Sequence, residues 1–219
     1  MPFNDTARNV ALDGLDEAIA AGIKYAGVFT AADPGTGSTY TGTEASGGAP
    51  AYARVAVTFG AAASGVKSNS GALTLDVPAG TYGFIGLFNT SSGNAAGNYM
   101  GYAPINGSVK GFAEVDATGV TNDTIASSGH GLTTDDRVQL FNVFAESIPA
   151  GITEGTLYYV LASGLTADVF KVSTTSGGAA LNITGQGELY FQKVIPETFA
   201  SQGQITIAIG ALVLDATAF

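Results

Sequence analysis

Short apolar runs, each cut off by a glycine-bearing turn, recur from Ile23 to Leu214 and leave room for strands but hardly for helices. Leu73 to Val77 is followed by Pro78-Ala79-Gly80, and Tyr82 to Phe88 by Ser91-Ser92-Gly93-Asn94. Glycine takes the positive φ that such turns need at no steric cost, so the 31 glycines punctuate the chain rather than loosen it. Disorder requires low hydrophobicity together with high net charge, and the mean hydropathy of +0.27 argues against it. The pattern predicts a mainly β chain whose principal domain is a β-sandwich or jelly-roll-like arrangement.

One helix is expected, near the start. Asp5 or Thr6 can cap it, Ala7, Ala11, Leu15, Ala18 and Ile19 follow helical spacing, and Gly22 stands where a left-handed residue would end it. Strands are expected at Ile23–Phe29, Tyr52–Phe59, Leu73–Val77, Tyr82–Phe88, Tyr99–Pro104, Gln204–Ile209 and Ala211–Leu214. Thr30 to Pro50 reads as a long polar loop containing the turn signal Asp33-Pro34-Gly35. In Tyr52–Phe59, alternation places Tyr52, Arg54, Ala56 and Thr58 on one face and Val55, Val57 and Phe59 on the other.

A seam falls near residue 117. Beyond it come five shorter strand-like runs: Asp123–Ala126, Arg137–Phe141, Leu157–Leu161, Val169–Val172 and Glu188–Phe191. Their turns are of a different kind: Gly129-His130-Gly131, Ile148-Pro149-Ala150-Gly151 and Ser176-Gly177-Gly178. The first pattern resumes in Glu197 to Leu214. The expected organisation is an outer β domain of residues 1–117 and 194–219, with the N-terminal helix, interrupted by a small inserted β-barrel or sandwich of residues 118–193.

Charge excludes several functions. The net charge is −10, and the eight basic residues (Arg8, Lys24, Arg54, Lys67, Lys110, Arg137, Lys171 and Lys193) are spread singly. No stripe neutralises phosphates, so nucleic acid is not an expected partner. No run approaches the ~18 apolar residues of a membrane span, and the N-terminus lacks the basic and apolar stretches of a secretory signal. There is no cysteine, hence no disulfide and no thiolate metal site.

Catalytic chemistry finds little support. His130 is the only histidine, sits between glycines, and reads as a turn residue whose ring hydrogen-bonds locally. Asp135-Asp136 lacks the spacing of a calcium loop and reads as a solvated turn. No Gly-x-Ser-x-Gly elbow is present, and Gly35-Thr36-Gly37 lacks the third glycine and following helix of a dinucleotide site. Glu44, Glu146, Glu154 and Glu188 lie in polar or turn-rich settings with no pairing visible from sequence. No catalytic residue, cofactor or metal ligand is assigned, and no enzymatic activity is expected. The candidate contact residues are Tyr158 and Tyr159: adjacent strand residues face opposite sides, so one ring points away from the insert's core, toward a neighbouring subunit, the outer domain or a glycan.

Several ordered motifs carry a resemblance. Phe29-Thr30-Ala31-Ala32-Asp33-Pro34-Gly35, then Gly47-Gly48-Ala49-Pro50-Ala51-Tyr52-Ala53-Arg54, Leu75-Asp76-Val77-Pro78-Ala79-Gly80 and Phe84-Ile85-Gly86-Leu87-Phe88 resemble a family of small tailed-bacteriophage virion proteins, described as minor tail or tail-fibre-like. Glu197-Thr198-Phe199 with Gly203-Gln204-Ile205-Thr206-Ile207 belongs to the same set. A histidine often precedes the Thr-Ala-Asp-Pro-Gly element in that family; Phe29 stands there in this chain, with one extra alanine, so no role of that histidine is carried over. The insert resembles a β module of phage tail and structural proteins, through Gly129-His130-Gly131-Leu132, Asp136-Arg137-Val138 and Tyr158-Tyr159-Val160. The resemblance implies a non-enzymatic virion protein, assembled in the host bacterial cytoplasm. It would be a homo-oligomer contacting other tail or capsid subunits, its outer domain anchoring and its insert presented. A capsid-decorating protein is the alternative placement, and a carbohydrate-binding module recognising the host surface is the alternative of another class.

Overall fold

The computed structural model describes residues 5–14, 22–31, 34–35, 37–106, 110–143 and 147–215. Its elements, in chain order, begin with α1 (Asp5–Asp13), β1 (Tyr25–Thr30), β2 (Val55–Ala56), β3 (Val66–Ser68), β4 (Leu73–Val77), β5 (Gly80–Phe88) and β6 (Tyr99–Pro104). Next come β7 (Lys110–Val115), α2 (Ala117–Asn122), β8 (Ile125–Ala126), β9 (Arg137–Asn142), β10 (Leu157–Val160), β11 (Val169–Phe170), β12 (Val172–Ser173) and β13 (Gly187–Val194). The chain closes with β14 (Glu197–Phe199), β15 (Gly203–Ile207) and β16 (Val213–Asp215).

The protein is mainly β and divides into two compact units, residues 1–103 with 198–219 and residues 104–197. The division falls at 103/104 and 197/198, where the sequence pattern changes at 117/118 and 193/194. At the first boundary the difference includes β7, which pairs with β13 and β8 and so belongs to the second unit; at the second it is residues 194–197.

In the first unit β5 is the spine. It pairs with β1 through six residue pairs and also carries β6 and β14, while β2 adds to β1. Four residues in the middle of β1 and the last seven of β5 are buried, the signature of strands covered on both faces. Two ribbons complete the unit, β15 on β4 and β16 on β3. Of the expected strand Tyr52–Phe59, only Val55 and Ala56 form one, because Arg54 turns inward to a carboxylate rather than following a ladder. Gly27 and Gly86 face each other across β1 and β5. A methyl group on Gly27 would meet the Tyr52 hydroxyl at 2.7 Å, and one on Gly86 would meet the Phe29 and Phe88 rings. Both positions therefore require the missing side chain.

α1 is held by side chains rather than by its alanines. Asn9 Oδ1 accepts from the Gly65 N–H at 2.7 Å, and Asp13 Oδ1 accepts from Ala62 N–H and from the buried Lys67 ammonium at 2.8 Å. The Lys67 hydrogen bond, with that of Ala62, holds the Asp13 carboxyl below its usual range. Helical residues expected at Leu15, Ala18 and Ile19, and the turn residue Asp33, lie outside the described residues.

In the second unit seven strands follow the order β11-β8-β7-β13-β9-β10-β12. The expected barrel does not close: β11 pairs only with β8 and β12 only with β10 among the described strands. These two are successive halves of one extended segment, Val169–Ser173, broken at Lys171, so a single stretch of chain fastens both margins of the sheet. Ile125, Leu140, Phe170, Leu189 and Phe191 are all 0–1% exposed inside the curl. The short helix α2 has no propensity signal. It is set by its ends, with Asp116 Oδ1 accepting from Gly119 N–H at 2.7 Å and Asp123 left-handed at φ 55°.

Candidate interaction sites

The alternation of β10 settles which tyrosine is inside. Tyr158 is 2% exposed in the core of the second unit, where its hydroxyl accepts from Thr153 N–H at 2.9 Å. Tyr159 is half-buried on the other side, next to its cross-strand partner Arg137, whose guanidinium stands 5.5 Å from the ring centroid. Of the pair, only Tyr159 is available for contact.

The other singled-out residues are committed locally. His130 is 5% exposed; its Nδ1 accepts from Leu132 N–H at 2.9 Å, and its ring meets Phe170 edge-on at 5.1 Å. Asp136 accepts from Thr133 N–H and pairs with Lys193, both at 2.7 Å. Asp135, left-handed at φ 65°, accepts from the Ser176 hydroxyl at 2.7 Å. Glu154 accepts from Asn142 N–H, and Glu146 lies outside the described residues. Among the described residues no three His, Asp or Glu side chains gather as a metal site, and no helix is long and apolar enough to cross a membrane.

Sequence reasoning misses the most saturated polar cluster. Arg54 Nε and Nη2 donate to the two oxygens of Glu44 at 2.7 and 2.8 Å, a forked pair whose side chains are 2% and 13% exposed. The same carboxylate accepts from the hydroxyls of Tyr52 at 2.8 Å and Tyr40 at 2.9 Å. Arg54 also donates to the carbonyls of Thr90 and Gly93 and lies 3.5 Å from the Phe88 ring centroid. The rings of Phe29, Tyr40, Phe88 and Tyr99 close around it, with centroids 4.9–6.0 Å apart. Each carboxylate oxygen accepts two hydrogen bonds, so the cluster offers no free base. It is a lock that fastens three loop stretches to the β1–β5 pair. The carboxylate and guanidinium are ten residues apart across a loop, a distance that no local pattern reveals.

Burial, then the Glu44 charge, pushes the Tyr52 hydroxyl far above its ordinary value, and burial also raises Tyr40 and Tyr82. A phenol with a raised folded-state pKa keeps its proton when the unfolded chain has lost it. Its contribution is therefore full below about pH 10 and drains as pH rises beyond that. The first unit is expected to lose stability above about pH 10, less steeply in Tyr52→Phe, as measured by denaturant midpoints on either side of that pH.

A second feature lies on the outer face of the second unit. Ala113 and Val115 of β7 point into the core, so Phe112 and Glu114 point out. Phe112 is 64% exposed and meets Tyr190 of β13 edge-on at 5.2 Å. An open groove of roughly 600 Å³ runs alongside, lined by Phe112, Glu114, Ala126, Ser128, Asp168 and Glu188.

Antiparallel sheets, with Phe112 left on an outer face, make this a mainly β protein. The chain belongs to the family described as podophage GP4 fiber I protein gp80, whose sequence model matches residues 7–127. It is thus a bacteriophage virion protein of tail-fibre-like type. No curated protein and no solved structure matches the chain. The family match spans the long first segment of the first unit and continues through β7, α2 and β8, ending just before Ser128-Gly129-His130.

Proposed function

We propose that the chain is a non-enzymatic fibre component that docks on the particle through its first unit and presents its second as a side module. The observation that carries this reading is the path of the second unit: it begins on β7 and ends on β13, and these strands are antiparallel neighbours with Lys110 opposite Gln192. A module entered and left through two adjacent strands can be added to a chain without rerouting it. The inserted module comprises residues 104–197 in this reading. Partners are other virion proteins and further copies of the chain, with assembly in the bacterial cytoplasm, and Tyr159 is a contact toward a neighbouring subunit.

Gold-labelled antibodies against the full chain, applied to intact virions, test the placement. Label confined to the tail is expected. Label distributed over the capsid lattice would instead make this a head-decorating protein.

A further inference from the structure

The outer face of the second unit carries an aromatic row beside carboxylates that lack counter-charges. Register sets Phe112 opposite Tyr190, and Tyr190 opposite Phe141, so three rings lie across adjacent strands on one face. One row along, Glu114 stands directly opposite Glu188, both exposed. Neither makes an ion pair among the described residues, and like charges facing each other across strands repel. On the far wall, Asp168 Oδ1 accepts from the Ser128 hydroxyl at 3.1 Å and Gly129 N–H at 2.9 Å. Ala126, cross-strand from Glu114, is the low floor between the walls.

We propose that this groove docks an arginine- or lysine-bearing segment of another protein. Charge complementarity selects that occupant. Glu114, Glu188 and Asp168 border the groove, while Lys110 lies at the opposite end of the β7 face, beyond Phe112. A guanidinium or ammonium stacked on the Phe112 ring would sit between Glu114 and Glu188 and end their mutual repulsion. Two arginines among the described residues make this kind of contact, Arg54 with Phe88 and Tyr40 and Arg137 with Tyr159. A second copy offering the same face is disfavoured, because it would set the two glutamates against their own counterparts on a chain of net charge −10. The proposal goes beyond the fibre reading and stands without it.

The test is titration of the full-length protein with the peptide acetyl-Arg-Gly-Arg-amide at low salt, followed residue by residue by NMR. Resonances of Phe112, Glu114 and Glu188 are expected to shift. Affinity is expected to fall roughly threefold or more in Phe112→Ala, and at least as much in the double variant Glu114→Gln/Glu188→Gln. Asp76→Asn/Glu154→Gln removes the same charge elsewhere and is expected to leave affinity nearly unchanged. The groove double variant should melt no lower than the parent, since it removes a repulsion, and this separates lost binding from lost folding. Equal weakening by both double variants would mean diffuse charge attraction and would overturn the site. So would a silent titration, or N-acetylglucosamine oligomers shifting the groove resonances where the peptide does not.

Discussion

Glu44→Gln is expected to destabilise the first unit by about 3–5 kcal/mol. The change is nearly isosteric, so it leaves little cavity. It removes the charge opposite an Arg54 side chain that is 2% exposed, leaving that guanidinium with the Thr90 and Gly93 carbonyls and the Phe88 ring. Tyr40 and Tyr52 lose a charged acceptor in the same step. Replacing both members, Glu44→Gln/Arg54→Met, is expected to recover much of the loss, because the cost lies in the stranded charge rather than in the missing pair. Denaturant unfolding of the three proteins measures this. A Glu44→Gln loss below about 1 kcal/mol would mean that water reaches Arg54 and that the lock is a surface ion pair.

Phe170→Ala is expected to cost the second unit about 3–5 kcal/mol. The ring is 0% exposed, edge-on to His130 at 5.1 Å and to Phe191 at 5.7 Å, and it lies in the segment that fastens both sheet margins. Truncation therefore empties the core and loosens the fastening together. In calorimetry, the transition of the second unit should move down while that of the first stays, and Glu44→Gln should do the reverse. Both transitions moving together under either substitution would show one cooperative body and would remove the case for a separable insert.

How much of this was legible in sequence follows from the range of the forces involved. Leu73–Val77, Gln204–Ile207 and Glu188–Phe191 alternate plainly, and they are strands because one face of each meets a core. Tyr52–Phe59 alternates equally well and mostly is not a strand, since the Arg54–Glu44 attraction outweighs a few ladder hydrogen bonds. Helix α2 is invisible to propensity because Thr118, Gly119, Val120 and Thr121 are poor helix formers held by the two aspartates at its ends. The sequence pattern changes near residue 117, whereas the compact units divide at 103/104, because β7 ladders onto β13 and β8, a long-range pairing that no local pattern carries. For the tyrosine pair, alternation predicts one ring in and one out; which is which depends on the partners of β10.

The adjacency of β7 and β13 also has a mechanical side. Tension that reaches the second unit through its two chain connections arrives at Lys110 and Val194, at the same end of one antiparallel pair. The load then falls on the first rung of that ladder, and each rung carries it only when the one before has parted. Such a geometry peels open at low force, whereas strands pulled from opposite ends share the load across every rung. Because both connections run into the first unit, tension between them arises only once that unit has parted, and the second unit would then yield gradually rather than all at once.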